Sequence, residues 1–243
     1  MEDKMIRVAI THGDTNGIGY EVILKTFATP TILELCTPIV YGSPKLAAYH
    51  RKALNLETSF NIIERAEDAC DGKLNILACF DDEVKVDLGQ PSEEAGKAAL
   101  MALDRAMTDY RSGLYDVLVT APINKATIQG EGFHFPGHTE YIETCVGEGN
   151  KALMILMNED LRVALVTTHL PIRNVAEAIT QEAIVEKASI FNLSLKRDFR
   201  ISSPRIAVLS LNPHAGDNGL LGNEEKDIII PAIEELEKKG IQA

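Results

Sequence analysis

The regular alternation of short apolar runs with helix-type segments limits the fold more than any other feature. Ile6–Thr11 is an apolar run leading into a glycine-rich turn, His12-Gly13-Asp14-Thr15-Asn16-Gly17-Ile18-Gly19, and then a helical stretch over residues 20–27. Residues 38–41 read as a short strand, after which Ser43 is placed to cap a helix starting at Pro44. Residues 74–80 form another strand. Ser92-Glu93-Glu94 opens a long helix through Arg111, with Ala95, Ala98, Ala99, Ala102 and Ala106 at helical spacing. Residues 116–120 are a strand stopped by Ala121-Pro122. Residues 152–157 and 163–166 pair as a hairpin around Asn158-Glu159-Asp160. A helix over 175–195, a strand over 206–211 and a helix over 223–239 complete the pattern. Strands separated by helices predict an α/β fold with a largely parallel sheet and some antiparallel pairing.

With 243 residues and 45% hydrophobic content, the chain buries one large core or two smaller ones. The formal net charge of −12 leaves no broad basic stripe, so a nucleic-acid partner is not expected, although a local basic pocket for a small anion is compatible with it. The first ten residues run into a strand without an apolar signal segment, and no window approaches the roughly 18 apolar residues that span a bilayer. A cytoplasmic location without membrane contact is expected. Cys36, Cys70, Cys79 and Cys145 are widely spaced and form no CxxC pair, which predicts small buried hydrophobes rather than disulfides or a zinc ribbon.

The candidate chemistry lies in polar segments at strand ends, where α/β sheets open into a ligand crevice. Gly13, Gly17 and Gly19 follow a strand and open a helix, a setting that favours anions, yet they match neither G-x-G-x-x-G nor the P-loop. A tight turn with close helix packing is the stronger reading of that segment. In Thr120-Ala121-Pro122-Ile123-Asn124-Lys125 the strand ends in polar residues, and Asn124 and Lys125 are expected to begin a helix. A lysine there opposes the helix dipole, which favours a contact with carboxylate or phosphate. Phe133-His134-Phe135-Pro136-Gly137-His138-Thr139-Glu140 sets aromatics and two histidines among rigid turn residues, with a helix starting near Thr139. His138 and Thr139 are positioned there to donate hydrogen bonds to an anion. His169 in Thr167-Thr168-His169-Leu170-Pro171 and His214 in Asn212-Pro213-His214-Ala215-Gly216 each follow a strand-like run. Either alone reads as an ordinary strand-end histidine. Together they suggest a two-imidazole metal site completed by Asp217 or a substrate oxygen.

These motifs, in this order from residue 6 to about 232, resemble the 4-hydroxythreonine-4-phosphate dehydrogenase family of pyridoxal phosphate biosynthesis. The resemblance implies an isocitrate/isopropylmalate-dehydrogenase-like fold with two α/β/α subdomains around a cleft. Residues 1–125 would form the first and 126–243 the second, which would carry the metal-binding and dimerisation elements. It further implies a homodimer with the active site near the interface, and NAD-dependent oxidation and decarboxylation of 4-phosphohydroxy-L-threonine to 3-amino-2-oxopropyl phosphate. A divalent metal (Zn2+, Mg2+ or Co2+) would be held by three histidines, two of them matching His169 and His214. His138 and Thr139 match substrate-binding positions, with Lys125 and Asn124 beside them. Such folds bind NAD without the Rossmann fingerprint.

Thr15 and Tyr20 replace prolines often found in the family, a change expected to alter turn rigidity rather than chemistry. Family members also continue past the point matching Ala243, and that stretch carries the third metal histidine and further phosphate-binding residues. The chain therefore reads as C-terminally shortened, with its first subdomain incomplete. Two other readings keep the motifs: the same chemistry on a 4-phospho-threonate or erythronate, and a chain with little catalysis that dimerises or binds ligand. A metal-dependent hydrolase is a third, and would form product without NAD. This polypeptide alone is expected to form NADH from 4-phosphohydroxy-L-threonine far more slowly than a longer relative, with Zn2+, Mg2+ or Co2+ supplied. Comparable turnover overturns that expectation.

Overall fold

The computed structural model describes residues 5–80, 84–130 and 132–243. They form two compact units, Met1–Lys151 and Ala152–Ala243. The first unit contains, in order, β1 (Ile6–Thr11), α1 (Gly19–Thr26), α2 (Pro30–Leu33), β2 (Cys36–Gly42), α3 (Pro44–Ala53), β3 (Asn61–Ile63), β4 (Asn75–Ala78), α4 (Glu93–Arg111), β5 (Val117–Thr120) and α5 (His138–Val146). The five strands lie in the order β3-β4-β2-β1-β5, and every pair is parallel.

β1 is an interior strand of this sheet, flanked by β2 on one side and by the edge strand β5 on the other. Val8 registers with Pro38 on β2 and Val117 on β5, and Thr11 with Tyr41 and Thr120. Successive side chains point to opposite faces, so each central strand feeds two apolar layers, as buried parallel sheets require. On one face Ala9, Ile39 and Leu77 meet the small-residue stripe of α4 together with Phe133 and Tyr141. On the other, Ile10, Val40 and Ile76 meet Tyr20, Leu24 and Ala47 of α1 and α3. At the sheet edge, Val117 and Val119 of β5 remain 47% exposed.

The helix starts follow their side-chain chemistry. The Ser92 hydroxyl accepts the Ala95 N–H at 3.2 Å, and the Ser43 hydroxyl accepts that of Leu46 at 3.4 Å. Each satisfies a donor that the first helical turn leaves orphaned. The short β3 and α2 carry no periodicity long enough to be legible in the sequence.

The boundary between the units falls at 151/152 rather than at 125/126. Ile128, Phe133 and Tyr141 are buried in the first unit's core, and this burial draws residues 126–151 to it. The four free cysteines are less buried than expected: Cys70 is exposed, and Cys36, Cys79 and Cys145 are only partly buried.

In the second unit, β6 (Ile155–Met157) and β7 (Arg162–Ala164) form the expected antiparallel hairpin. The Asn158 side chain accepts the Asp160 and Leu161 N–H groups, which sets the turn. The helix expected over 175–195 is two helices, α6 (Val175–Ala178) and α7 (Gln181–Arg197). Ile179 is extended between them, and the Thr180 hydroxyl caps α7 by accepting the Ala183 N–H at 3.1 Å. Capping chemistry outweighs apolar periodicity there. Residues 206–211 form no strand, since their ladder is limited to an Arg205–Gln242 bridge and an Ile206 N–H bond to the Gln242 carbonyl. The last helical region is a π-helical turn, Glu225–Ile229, followed by α8 (Ile230–Lys238). Phe191 and Leu195 of α7 pack with Ala232 and Leu236 of α8 in this unit's core. Among the described residues no helix is long and apolar enough to cross a membrane.

A stack of rings locks the first unit behind the β1–α1 turn. His12 is fully buried, its ring 5.2 Å from that of Tyr20, which lies 5.1 Å from His50. Each histidine meets a carbonyl through Nε2, Ala98 for His12 and Thr15 for His50, so Nε2 carries the hydrogen in the neutral rings. Burial drives the His12 pKa down to about 4 and lowers that of His50. As pH falls below 6.5, the unfolded chain takes up a proton on His12 that the folded chain refuses until about pH 4. Stability therefore drops through that window, by about 3 kcal/mol for His12. Urea unfolding between pH 7 and 4 should show a shallower loss for His12→Gln than for the parent; parallel curves would contradict the assignment.

Candidate active site

The strand order places the crevice. From β1 the chain runs to β2 and outward to β4 and β3, then returns across the sheet to β5 on the other side of β1. The order reverses between β1 and β5, and at such a switch point the loops after the two strands diverge and leave room for a ligand. The glycine-rich turn follows β1, and Ala121-Pro122-Ile123-Asn124-Lys125 follows β5.

Backbone bonds tie the two loops together beyond the strands. The Ala121 N–H donates to the Thr11 carbonyl at 3.0 Å and the Asp14 N–H to the Pro122 carbonyl at 2.9 Å. Gly13 has φ +74°, and a Cβ there would meet the backbone of Ala121 and Pro122. Gly19 lies directly against the His12 carbonyl. These glycines therefore serve close packing, as the sequence reading favoured. Asn16 ties the turn to the start of α4: its side chain donates to the Gln90 carbonyl at 2.8 Å and accepts the Asp87 N–H at 2.9 Å. Within the turn, Thr11 Oγ1, His12 Nδ1 and Thr15 Oγ1 are buried without a hydrogen-bond partner.

Asn124 and Lys125 do not begin a helix; residues 125–127 form a single turn. The Asn124 side-chain oxygen accepts the Ala126 and Thr127 N–H groups, and the Ile128 N–H returns to the Asn124 carbonyl at 3.1 Å. A self-satisfied Asx turn replaces the helix, so the dipole argument at Lys125 lapses. The lysine is exposed and faces α5: a Cβ on Gly137 would lie 3.9 Å from its Nζ and 3.8 Å from Glu140 Oε2.

His138 is the first residue of α5, and Thr139 follows it, half-buried. The preceding loop is anchored by aromatic packing, with Phe133 5.3 Å and Phe135 5.6 Å from the Tyr141 ring. Tyr141 in turn donates its hydroxyl to Asp104. The His138 Nε2 is buried without a partner, and burial followed by the Lys125 charge lowers its pKa. A neutral imidazole, a lysine and the N-terminus of a helix thus converge at the carboxyl end of β5, a constellation suited to an anion.

His169 and His214 lie in the second unit, both exposed. His169 has φ +55° and follows β7 at a distance, since that strand ends at Ala164. The segment before His214 forms no strand. Its N–H donates to the Asn212 side chain at 2.9 Å, and its carbonyl accepts the Asp217 N–H at 2.9 Å. Among the described residues no three His, Cys, Asp or Glu side chains converge to hold a metal ion, so His169, His214 and Asp217 do not assemble a three-ligand set. Two imidazoles suit a borderline divalent ion in chemistry but fall short in number.

Sequence reasoning missed Glu225, which holds the His214 loop, and the buried His12–Tyr20–His50 stack. A carboxylate two residues after Asn223 looks like an ordinary helix start, and nothing in its spacing marks the contact with Leu211.

A model of the pyridoxal phosphate biosynthetic protein PdxA family matches residues 34–243. A Bacteroides thetaiotaomicron protein named 4-hydroxythreonine-4-phosphate dehydrogenase is 65% identical over 241 residues, 99% of this chain and 66% of its own length. One of the same name from Sulfurihydrogenibium is 37% identical, over 98% of this chain and 73% of its own. The chain thus spans about two thirds to three quarters of the length of these relatives. Crystal structures of such dehydrogenases from Burkholderia phymatum and Klebsiella pneumoniae superpose with TM-scores of 0.82 and 0.85, at 34% and 29% identity. Each alignment covers 98% of this chain and 73% or 74% of the other. The fold, the ordered motifs and these matches agree, and the chain belongs to the PdxA family of pyridoxal phosphate biosynthetic proteins.

Proposed function

We propose that this chain carries the anion-binding and part of the metal-binding machinery of an NAD-dependent dehydrogenase. Its substrate is 4-phosphohydroxy-L-threonine and its product 3-amino-2-oxopropyl phosphate, formed in the cytoplasm. The observation that carries this reading is the convergence of Lys125 and a neutral His138 at the switch point of the sheet. The names of the relatives support the substrate.

Lys125 supplies a point charge to the substrate's anionic end, and His138 and Thr139 supply hydrogen bonds that orient it. Asn124 shapes the turn that presents the lysine. With the substrate so held, bound NAD would supply the oxidation, accepting the C3 hydrogen as hydride while the hydroxyl proton passes to solvent, which would leave a β-keto acid. The bond to the carboxylate then breaks, CO2 departs, and a proton takes its place on carbon. His169 and His214 would supply two of the ligands of a divalent ion, and such an ion would acidify the hydroxyl and stabilise the charge left by CO2. The exposed Leu156, Met157 and Leu161 of the β6–β7 hairpin support pairing with a second copy.

Incubated at stoichiometric concentration with NAD and 4-phosphohydroxy-L-threonine, the protein should yield 3-amino-2-oxopropyl phosphate and NADH in equal amounts by mass spectrometry and absorbance. His138→Asn should raise KM about ten-fold or more, the cost of a charge-assisted bond to an anion. Product without NAD, or product from 4-phosphoerythronate alone, excludes the reading.

The Lys125 charge also sets a sign that NMR reads directly. Removing it by Lys125→Met should raise the His138 imidazole pKa toward its ordinary value, seen as a shift of its ring C–H titration to higher pH. An unchanged or lower midpoint would show that the two groups do not interact.

A further inference from the structure

We infer that Gly137 is kept bare for the ligand: the substrate's anion caps α5 in place of a side chain, in the space that a Cβ at 137 would fill. The inference rests on the reading that Lys125 and His138 bind that anion. Three observations carry it, and the first concerns the backbone. Gly137 is the N-cap residue of α5, with φ −178° and ψ −167°. That is extended backbone open to any residue, so conformation does not call for glycine here.

Packing does not call for it either. Gly137 is buried, yet a Cβ on it would find Glu140 Oε2 at 3.8 Å and Lys125 Cε and Nζ at 3.9 Å, all at ordinary van der Waals distance. Gly13 and Gly19 differ, since a Cβ at either would collide with backbone. The third observation is a missing cap. Ser43, Ser92 and Thr180 each start a helix of this protein with a side-chain oxygen that accepts a backbone N–H. At α5 no side chain does so, and among the described residues the N–H groups of His138 and Thr139 have no acceptor within the protein. Two open donors and the Lys125 ammonium thus border one uncapped position, and the first helical side chain, His138, keeps a buried Nε2 without a partner. A phosphate or carboxylate oxygen held by Nζ and these N–H groups serves as the cap. A Cβ at 3.9 Å from Nζ would intrude on that oxygen, and a serine hydroxyl would compete for the same donors. Glycine at 137 therefore favours the ligand over the stability of the empty helix.

The test is binding of inorganic phosphate and of 4-phosphohydroxy-L-threonine to the full 243-residue chain, read by calorimetry and by the amide NMR signals of His138 and Thr139. In the parent both amide signals should move as either anion is added. Gly137→Ser should melt at the same temperature or higher without ligand, because it supplies the absent cap. Its affinity for both anions should nevertheless fall about ten-fold or more, the scale of a lost hydrogen bond to a charged group. Gly137→Ala adds the Cβ without a competing hydroxyl and should weaken binding as well. Parent-like affinity in both variants, alongside weaker binding by Lys125→Met, overturns the inference and leaves the anion site standing. A marked loss of thermal stability in Gly137→Ser shows that the fold itself needs the glycine, and overturns the inference too. Binding that leaves the two amide signals unmoved places the anion away from the start of α5, with the same consequence. No binding by the parent, or parent-like binding by Lys125→Met, overturns the anion reading and the inference with it.

Discussion

The contact on which the first unit depends is the approach of two backbones where β1 and β5 end. Two carbonyls carry it, Thr11 accepting the Ala121 N–H and Pro122 that of Asp14, while on the other side of β1 the Tyr41 carbonyl of β2 accepts the His12 N–H. The ladder therefore continues past the strands into the loops, and the loops cannot separate without breaking the bonds that extend the β1–β5 pairing. Only glycine permits this at residue 13, because a side chain would occupy the space of the Ala121–Pro122 backbone. Since β5 is held at its end in this way, the following turn with Lys125 and the helix with His138 inherit a fixed origin. The anion constellation is a consequence of sheet geometry before it is a matter of side chains.

Much of this was legible because it follows from short-range rules. The apolar run at Ile6–Thr11, the Ser43 and Ser92 caps and the alanine stripe of α4 each name their structure locally, and the structure agrees. The features that were not legible depend on partners distant in sequence. Residues 206–211 are as apolar as β2, but a strand exists only where a neighbour accepts its ladder, and theirs is a single bridge to Gln242. Residues 126–151 join the first unit because Phe133 and Tyr141 find its core, which no composition shift announces.

Competition between local signals accounts for two other differences. At Lys125, Pro122 and Asn124 resemble a helix start, but the Asn124 side chain accepts the Ala126 and Thr127 N–H groups and closes the turn on itself. At Thr180 a bond from the N–H three residues on, like that of Thr127 to Asn124, starts a helix because the chain continues there in helical register. The histidines show a related division. His138 is recognisable because aromatic packing and a helix start fix its surroundings, whereas His169 and His214 depend on exposed loops with left-handed backbone, a state that sequence spacing does not encode.

A net charge of −12 sets a final condition on how this chain holds an anionic substrate. The average field of the protein repels a phosphate, so attraction must come from groups at contact distance. Screening makes this workable: at physiological salt, exposed charges farther than about 8 Å contribute little, while those at the site act nearly undiminished. Lys125 and the first N–H groups of α5 satisfy that condition. Glu140, close to the same lysine and in the first turn of α5, opposes it in charge. The neutral state of His138 resolves part of the conflict. An uncharged imidazole avoids repulsion from Lys125, and its Nε2, buried without a partner, is left to bond the incoming anion.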